Sequence, residues 1–306
     1  MTAFATTLAP IIVLILLGYG LKRARFMSDE AWSGMEKMTY FVLFPVLLIR
    51  TLGKQTLVGA PWPSMLLLIT VTLLVAATVL LVWHMLRSSV SGATFTSVFQ
   101  GGVRFNTYIA LAAAQGLFGA EGLALGSVAV GFLIVVINLL CISVFLVWGK
   151  MAVRGVMPFI REVIGNPLII ACMIGWVLSL SGVGLPGVTE NILEIIGRAA
   201  LPFGLLAVGA ALKPEVIRGH IKPIIIASVV QFGLKPLLVA LLIAEIGLSG
   251  VAAGVLIIAF IVPTAPSAYI LARQLGGDTE AMASIITFQT LLAFLLMPLL
   301  ASLMLA

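Results

Sequence analysis

Charge is what this sequence lacks most. Only 9% of its 306 residues are Asp, Glu, Lys or Arg, against about 25% in an average soluble domain. So few polar groups cannot cover a water-facing globule, and no polar stretch is long enough to form a soluble domain beside the apolar part. Cysteine is scarce as well. Cys141 and Cys172 lie in apolar segments and read as small core residues, with no disulfide framework. Metal and nucleotide patterns are missing. There is no HExxH, His84 and His220 stand singly at the ends of apolar runs, and no GxxxxGK loop or Ser–His pairing occurs. No metal, no cofactor and no ATP-driven chemistry is therefore expected of the chain. Carboxylates are absent from the middle of the apolar runs: Glu36, Glu121, Glu190, Glu194, Glu245, Asp278 and Glu280 all fall near run ends. That argues against the usual Asp- or Glu-based proton or sodium site.

Hydrocarbon fills the space. The chain is 62% hydrophobic with a mean hydropathy of +1.25, and runs long enough to cross a bilayer recur from end to end. We expect an all-α membrane protein of ten spans, roughly 4–21, 33–52, 64–86, 92–118, 122–148, 166–183, 190–212, 223–246, 250–274 and 280–304. Basic residues gather on one side: Lys22, Arg23, Arg25, Arg87, Lys150, Arg154, Arg161, Lys213, Arg218, Lys222 and Arg273, with little beyond Lys54 on the other. The rich side should be cytoplasmic, which puts both termini outside an inner (plasma) membrane. The net charge of +6 thus serves topology, and no nucleic-acid partner is expected. "KRAR" (22–25) follows the first run and no basic segment precedes it, which argues against a cleaved signal peptide.

An internal register organises the chain. Pro10 and Pro167 differ by 157, as do Gly18 and Gly175, Pro45 and Pro202, Thr107 and Thr264, Gly119 and Gly276, and Ser127 and Ser284. Two five-span repeats follow, residues 1–148 and 166–306, joined by a short cytoplasmic linker at 149–165. Five is odd, so the repeats must be inverted, the design of secondary transporters. The register also pairs two interruptions. Pro263 and Pro266 fall inside span nine, where each removes an N–H and clashes with the preceding turn. The matching part of span four has Gly101-Gly102 and Asn106-Thr107, which tolerate unwinding and supply their own hydrogen bonds. Two broken helices crossing at mid-depth could satisfy each other's open backbone. Their N-terminal ends would make a positive centre suited to an anion. Pro45 and Pro202 read instead as kinks in scaffold spans.

At these residues the chain resembles the auxin efflux carrier family, bacterial relatives of the plant PIN-formed auxin carriers. "RFNTYIAL" (104–111), "GNPLIIA" (165–171) and "PTAPSAYILARQLGGD" (263–278) carry the resemblance, which covers the whole chain. It implies ten helices in two inverted repeats, with crossing broken helices four and nine. It also implies a dimer-forming scaffold from helices 1, 2, 6 and 7 and a mobile transport domain from the rest. Bacterial members are often described as carriers of malonate or other organic acids, and plant members carry indole-acetate through a protein with a long central loop. That loop is absent here, and Asn106 stands where the plant pattern has a proline.

Two charges cannot be placed at an interface, Arg104 in span four and Lys235 in span eight. A charge at mid-bilayer costs at least ~2.5–3.5 kcal/mol, so each is a functional candidate. Neither is repeated in the other half: Arg104 maps to Ile261 and Lys235 to Thr78. Arg104 either binds substrate or pairs with carbonyls freed by the break. Lys235 either neutralises helix C-termini at the crossing or couples transport to protons. The centre is net positive, so a small carboxylate or dicarboxylate is the expected substrate, bound at the crossing. Its candidate ligands are Arg104, Asn106, Thr107, Pro263, Thr264, Ser267, Gln100 and Gln289, with Tyr108 or Tyr269 as floor or gate. The expected partners are this organic anion, membrane lipid and a second copy of the chain. Three alternatives stay open: an indole-acetate exporter, an anion channel and a transporter-like sensor. An intramembrane aspartyl protease is excluded, because "LGGD" (275–278) lies at a helix end and no second membrane aspartate could complete a dyad.

Overall fold

Apolar runs make the helices; capping residues, prolines and glycines decide where each starts, bends and stops. The computed structural model describes residues 2–54, 61–87, 90–149, 165–185 and 187–305, and among them regular structure is entirely helical. The helices are α1 (Thr2–Arg23), α2 (Asp29–Met38), α3 (Phe44–Gly53), α4 (Trp62–Arg87), α5 (Gly92–Val103), α6 (Thr107–Trp148) and α7 (Pro167–Leu180). They continue with α8 (Val188–Arg198), α9 (Ala200–Ala210), α10 (Ile221–Val229), α11 (Lys235–Ile246), α12 (Gly250–Ile261), α13 (Ser267–Leu275) and α14 (Thr279–Met304). Six described stretches are long and apolar enough to cross a membrane: 6–23, 62–86, 92–148, 188–210, 221–246 and 279–304; Pro167–Leu180 and Gly250–Ile261 are shorter apolar helices. The chain is thus a multi-pass, all-helical membrane protein. Except for Gly149 and Gly165, the expected linker lies outside the described residues.

Local chemistry explains the boundaries. Helix α2 starts before the expected residue 33 because Ser28 caps it: its Oγ accepts the Ala31 N–H at 3.2 Å, and Asp29 and Glu30 sit at the positive helix end. A π-helical turn, Thr39–Leu43, separates α2 from α3, and another, Val230–Leu234, separates α10 from α11. Each is followed within two residues by a proline, Pro45 or Pro236. Proline clashes with the carbonyl four residues back, and one wider turn relieves the clash without ending the helix. The long run 92–148 is interrupted twice, at residues 104–106 and at Gly119, whose φ is 63°. Gly276, which ends α13, has a φ of 74°. Both occupy the left-handed region that only glycine enters cheaply.

Glycine also sets two of the closest helix contacts. Where α1 meets α9, a Cβ at Gly18 would overlap the Leu206 carbonyl, and a Cβ at Gly209 would overlap the Ile15 carbonyl. Where α3 meets α7, a Cβ at Gly175 would stand 2.7 Å from the Leu52 Cβ. Small residues let membrane helices approach this closely, where dispersion replaces the missing hydrophobic drive. Outward-facing Met85, Leu180, Ile195 and Leu295 are all more than two-thirds exposed, a surface suited to lipid.

Candidate functional site

A helix that stops inside an apolar layer leaves carbonyls unpaired at its C-terminus and N–H groups unpaired at its N-terminus. Helix α5 stops at Val103 and α12 at Ile261, and buried side chains take up the freed carbonyls. Gln289 Nε2 donates to the Gly101 carbonyl at 2.9 Å, and its Oε1 accepts the Thr264 N–H at 3.1 Å. Gln289 thereby ties one interrupted segment to the other. Thr264 Oγ1 reaches the Gln100 carbonyl at 3.5 Å, and Gln100 Nε2 reaches the Ala268 carbonyl at 3.3 Å. Gln231 Nε2 donates to the Val262 carbonyl. Lys235, wholly buried, donates to the carbonyls of Val103 at 3.3 Å and Arg104 at 3.5 Å, with its Nζ 5.8 Å from the Phe260 ring centroid. An ammonium at this helix end offsets the partial negative charge of the carbonyls.

Asn106 serves the opposite terminus. Its Oδ1 caps α6 by accepting the N–H groups of Tyr108 at 3.0 Å and Ile109 at 3.2 Å. Its Nδ2 is buried with no hydrogen-bond partner among the described residues, although the side chain is 0% exposed. A buried, unsatisfied amide costs about 1–3 kcal/mol. Asn106 also lines a cavity of about 430 Å³ between α2, α9 and the two interrupted segments. Arg104 lines it too. Its Nη2 donates to Asn138 Oδ1 at 3.0 Å, and its Nε is buried without a hydrogen-bond partner among the described residues. Arg104 is only partly buried, so its guanidinium is the cationic donor on the cavity wall, whereas Asn106 Nδ2 and Arg104 Nε are closed off from that space. A guanidinium on the wall suits a carboxylate.

The structure gathers five expected residues on this cavity: Arg104, Asn106, Thr107, Tyr108 and Ser267. Tyr108 packs on Phe44 with ring centroids 4.4 Å apart, and Gly204 leaves room for its ring. The other five do not line it. Gln100, Thr264 and Gln289 are 0% exposed and committed to the backbone bonds above, and Pro263 is buried within the second break. Tyr269 faces elsewhere, beneath Lys213, whose Nζ lies 5.3 Å from its ring centroid. Lys235 also stands off the cavity, on the α5 terminus.

Several lining residues went unanticipated. Glu36, expected near a span end, lines the cavity with Ser33, Lys37 and Tyr40. Ser33, Glu36 and Lys37 lie on α2 and Tyr40 in the π turn that follows it, at a spacing of three, one and three that is present in the sequence. Asn138, a lone amide in the apolar run "VVINLL", faces Arg104. Asn166 caps α7 as Asn106 caps α6, its Oδ1 accepting from Leu168 at 2.9 Å and Ile169 at 3.3 Å.

Residues 150–301 match the profile of a family described as membrane transport protein. An uncharacterized transporter from Methanothermobacter thermautotrophicus is 24% identical over 298 residues, 96% of each chain.

Proposed function

Since the chain belongs to the auxin efflux carrier family of membrane transport proteins, we propose that it is a secondary transporter that moves a small organic anion by alternating access. We further propose ten membrane passes as two inverted five-helix repeats, with the breaks at 104–106 and 262–266 crossing at mid-depth. The helix contacts support this arrangement. The register of 157 pairs α1 with α7 and α3 with α9, and α1 packs on α9 as α7 packs on α3. That reciprocal exchange is what two interlocked repeats produce. Both termini outside an inner membrane, and a homodimer through the scaffold helices, complete the proposal.

One observation carries the substrate class. The cavity is lined by Arg104, a partly exposed guanidinium that a carboxylate would pair with. A malonate-sized acid fits this chemistry. An aromatic acid such as indole-acetate is the second reading, favoured by Tyr40, Phe41, Phe105 and Tyr108 in the wall.

Thermal-shift measurement with malonate, succinate, acetate and indole-acetate tests the class, because a ligand that binds only the folded state raises its Tm. We expect at least one acid to raise Tm in wild type and not in Arg104→Gln. Counterflow of that acid in proteoliposomes then separates a carrier from a channel or a sensor. No shift with any acid, or equal shifts in both proteins, would overturn the anion reading.

A further inference from the structure

The charges on the cavity wall do not all favour an anion. Arg104 and Lys37 are cationic, but Glu36 faces the same space and is the sole acidic residue lining it among the described residues. It is half-buried and has no ion pair there; the acidic groups that do are Asp29, Glu190 and Glu194. Lys37 is its chain neighbour, and adjacent helix residues do not face each other. The titratable groups around Glu36 are Tyr40, four residues on in the π turn after α2, and Tyr108, across the wall on α6. Helix α9, packed against α2, carries no titratable side chain. Among the described residues no cation is within salt-bridge distance of the Glu36 carboxylate.

In a partly dehydrated cavity an unpaired carboxylate works against a bound anion, because charges interact more strongly there than in water. Protonation removes that opposition. By linkage, whatever a proton does for the anion's affinity the anion does for the proton's. We propose that Glu36 is a proton-binding group of this cavity and that a proton taken there from water travels with the anion. This rests on the anion-transport reading above. It places proton coupling on a carboxylate of α2, outside the two interrupted segments. If those segments move against α2 during alternating access, the separation of Glu36 from Arg104 and Asn106 changes, and proton affinity changes with it.

The test is malonate affinity of the purified full-length protein between about pH 5 and about pH 8, for wild type, Glu36→Gln and Glu36→Asp. The titration of malonate itself is common to all three and cancels in the comparison. We expect wild-type affinity to fall about tenfold more than that of Glu36→Gln over this range, with Glu36→Gln holding its tight binding at the high end. Glu36→Asp should keep the wild-type slope, which a merely structural role would not predict. A pH-indicator dye should register proton uptake on adding malonate to wild type and none with Glu36→Gln. Parallel pH profiles in wild type and Glu36→Gln, or equal proton uptake, would overturn the proposal and leave anion transport standing. If malonate and the other three acids fail to bind wild type at any pH, the transport reading fails and this inference falls with it.

Discussion

The two helix interruptions are built from the same backbone problem and solve it differently. At residues 262–264 the freed groups are sealed: Gln231 holds the Val262 carbonyl, Gln289 holds the Thr264 N–H, and Thr264 is 0% exposed, so that only Ala265 and Pro266 of this break reach the cavity wall. At 104–106 the carbonyls are held by Lys235, but Arg104 lines the cavity and is only partly buried. One break is a structural joint; the other carries the chemistry. Proline makes the first through what it removes, and asparagine makes the second through what it adds.

The comparison can be broken most strongly at Gln289. Replacing it with leucine strands the Thr264 N–H and the Gly101 carbonyl, each worth about 1–3 kcal/mol, so Gln289→Leu should lose about 2–6 kcal/mol of stability. Denaturation of the variant reads the loss, and malonate affinity of the folded fraction should stay within a factor of about two. A large affinity loss would make the sealed joint part of the site. Next comes Arg104. Charge-assisted bonds contribute about 1.5–3 kcal/mol, so Arg104→Gln should weaken binding by about tenfold to a hundredfold. Arg104→Lys should be nearly as weak, since lysine cannot copy the planar fork. Wild-type affinity in either variant would remove the guanidinium from the site.

Asn106 separates the two duties of the open break. Asn106→Ala loses the cap and should cost about 1 kcal/mol of stability. Asn106→Asp keeps the capping oxygen but turns the free donor into an acceptor, so it should fold like wild type and lose anion binding. Wild-type binding by both variants would mean that Nδ2 does not touch the ligand. The smallest effect lies outside both breaks. The Lys22 ammonium, 2.6 Å from Asp29, holds that carboxyl below its usual range. A lowered folded-state value stabilises above the ordinary carboxylate range, and the benefit goes as pH falls through the folded value. Asp29→Asn should flatten a slight acid-side decline in Tm and leave malonate binding alone.

The sequence disclosed the helical membrane class directly, because apolar run length and scarce charge leave no other fold that satisfies its backbone in lipid. It also marked the glycines: Gly119 and Gly276, read as a pair from their spacing, both adopt positive φ. Less legible was which polar residue faces which. Thr107 and Thr264 are equivalent by register, yet Thr107 lines the cavity and Thr264 is sealed. That difference depends on Gln289, 25 residues further on, meeting Thr264 in space. Glu36 reads from the sequence as a residue near a run end, and nothing in that placement shows that it borders the same cavity as Arg104.

The glycine seam between α1 and α9 has a consequence for the order in which the molecule is made. Gly18 and Gly209 are 191 residues apart in the chain, yet Gly18 rests on the Leu206 carbonyl of α9 and Gly209 on the Ile15 carbonyl of α1. At about 5–20 residues per second, α1 leaves the ribosome about 10–40 s before its partner exists. Until then the first helix must wait in the lipid with its glycine face uncovered, a period in which a chaperone or a neighbouring chain could claim it.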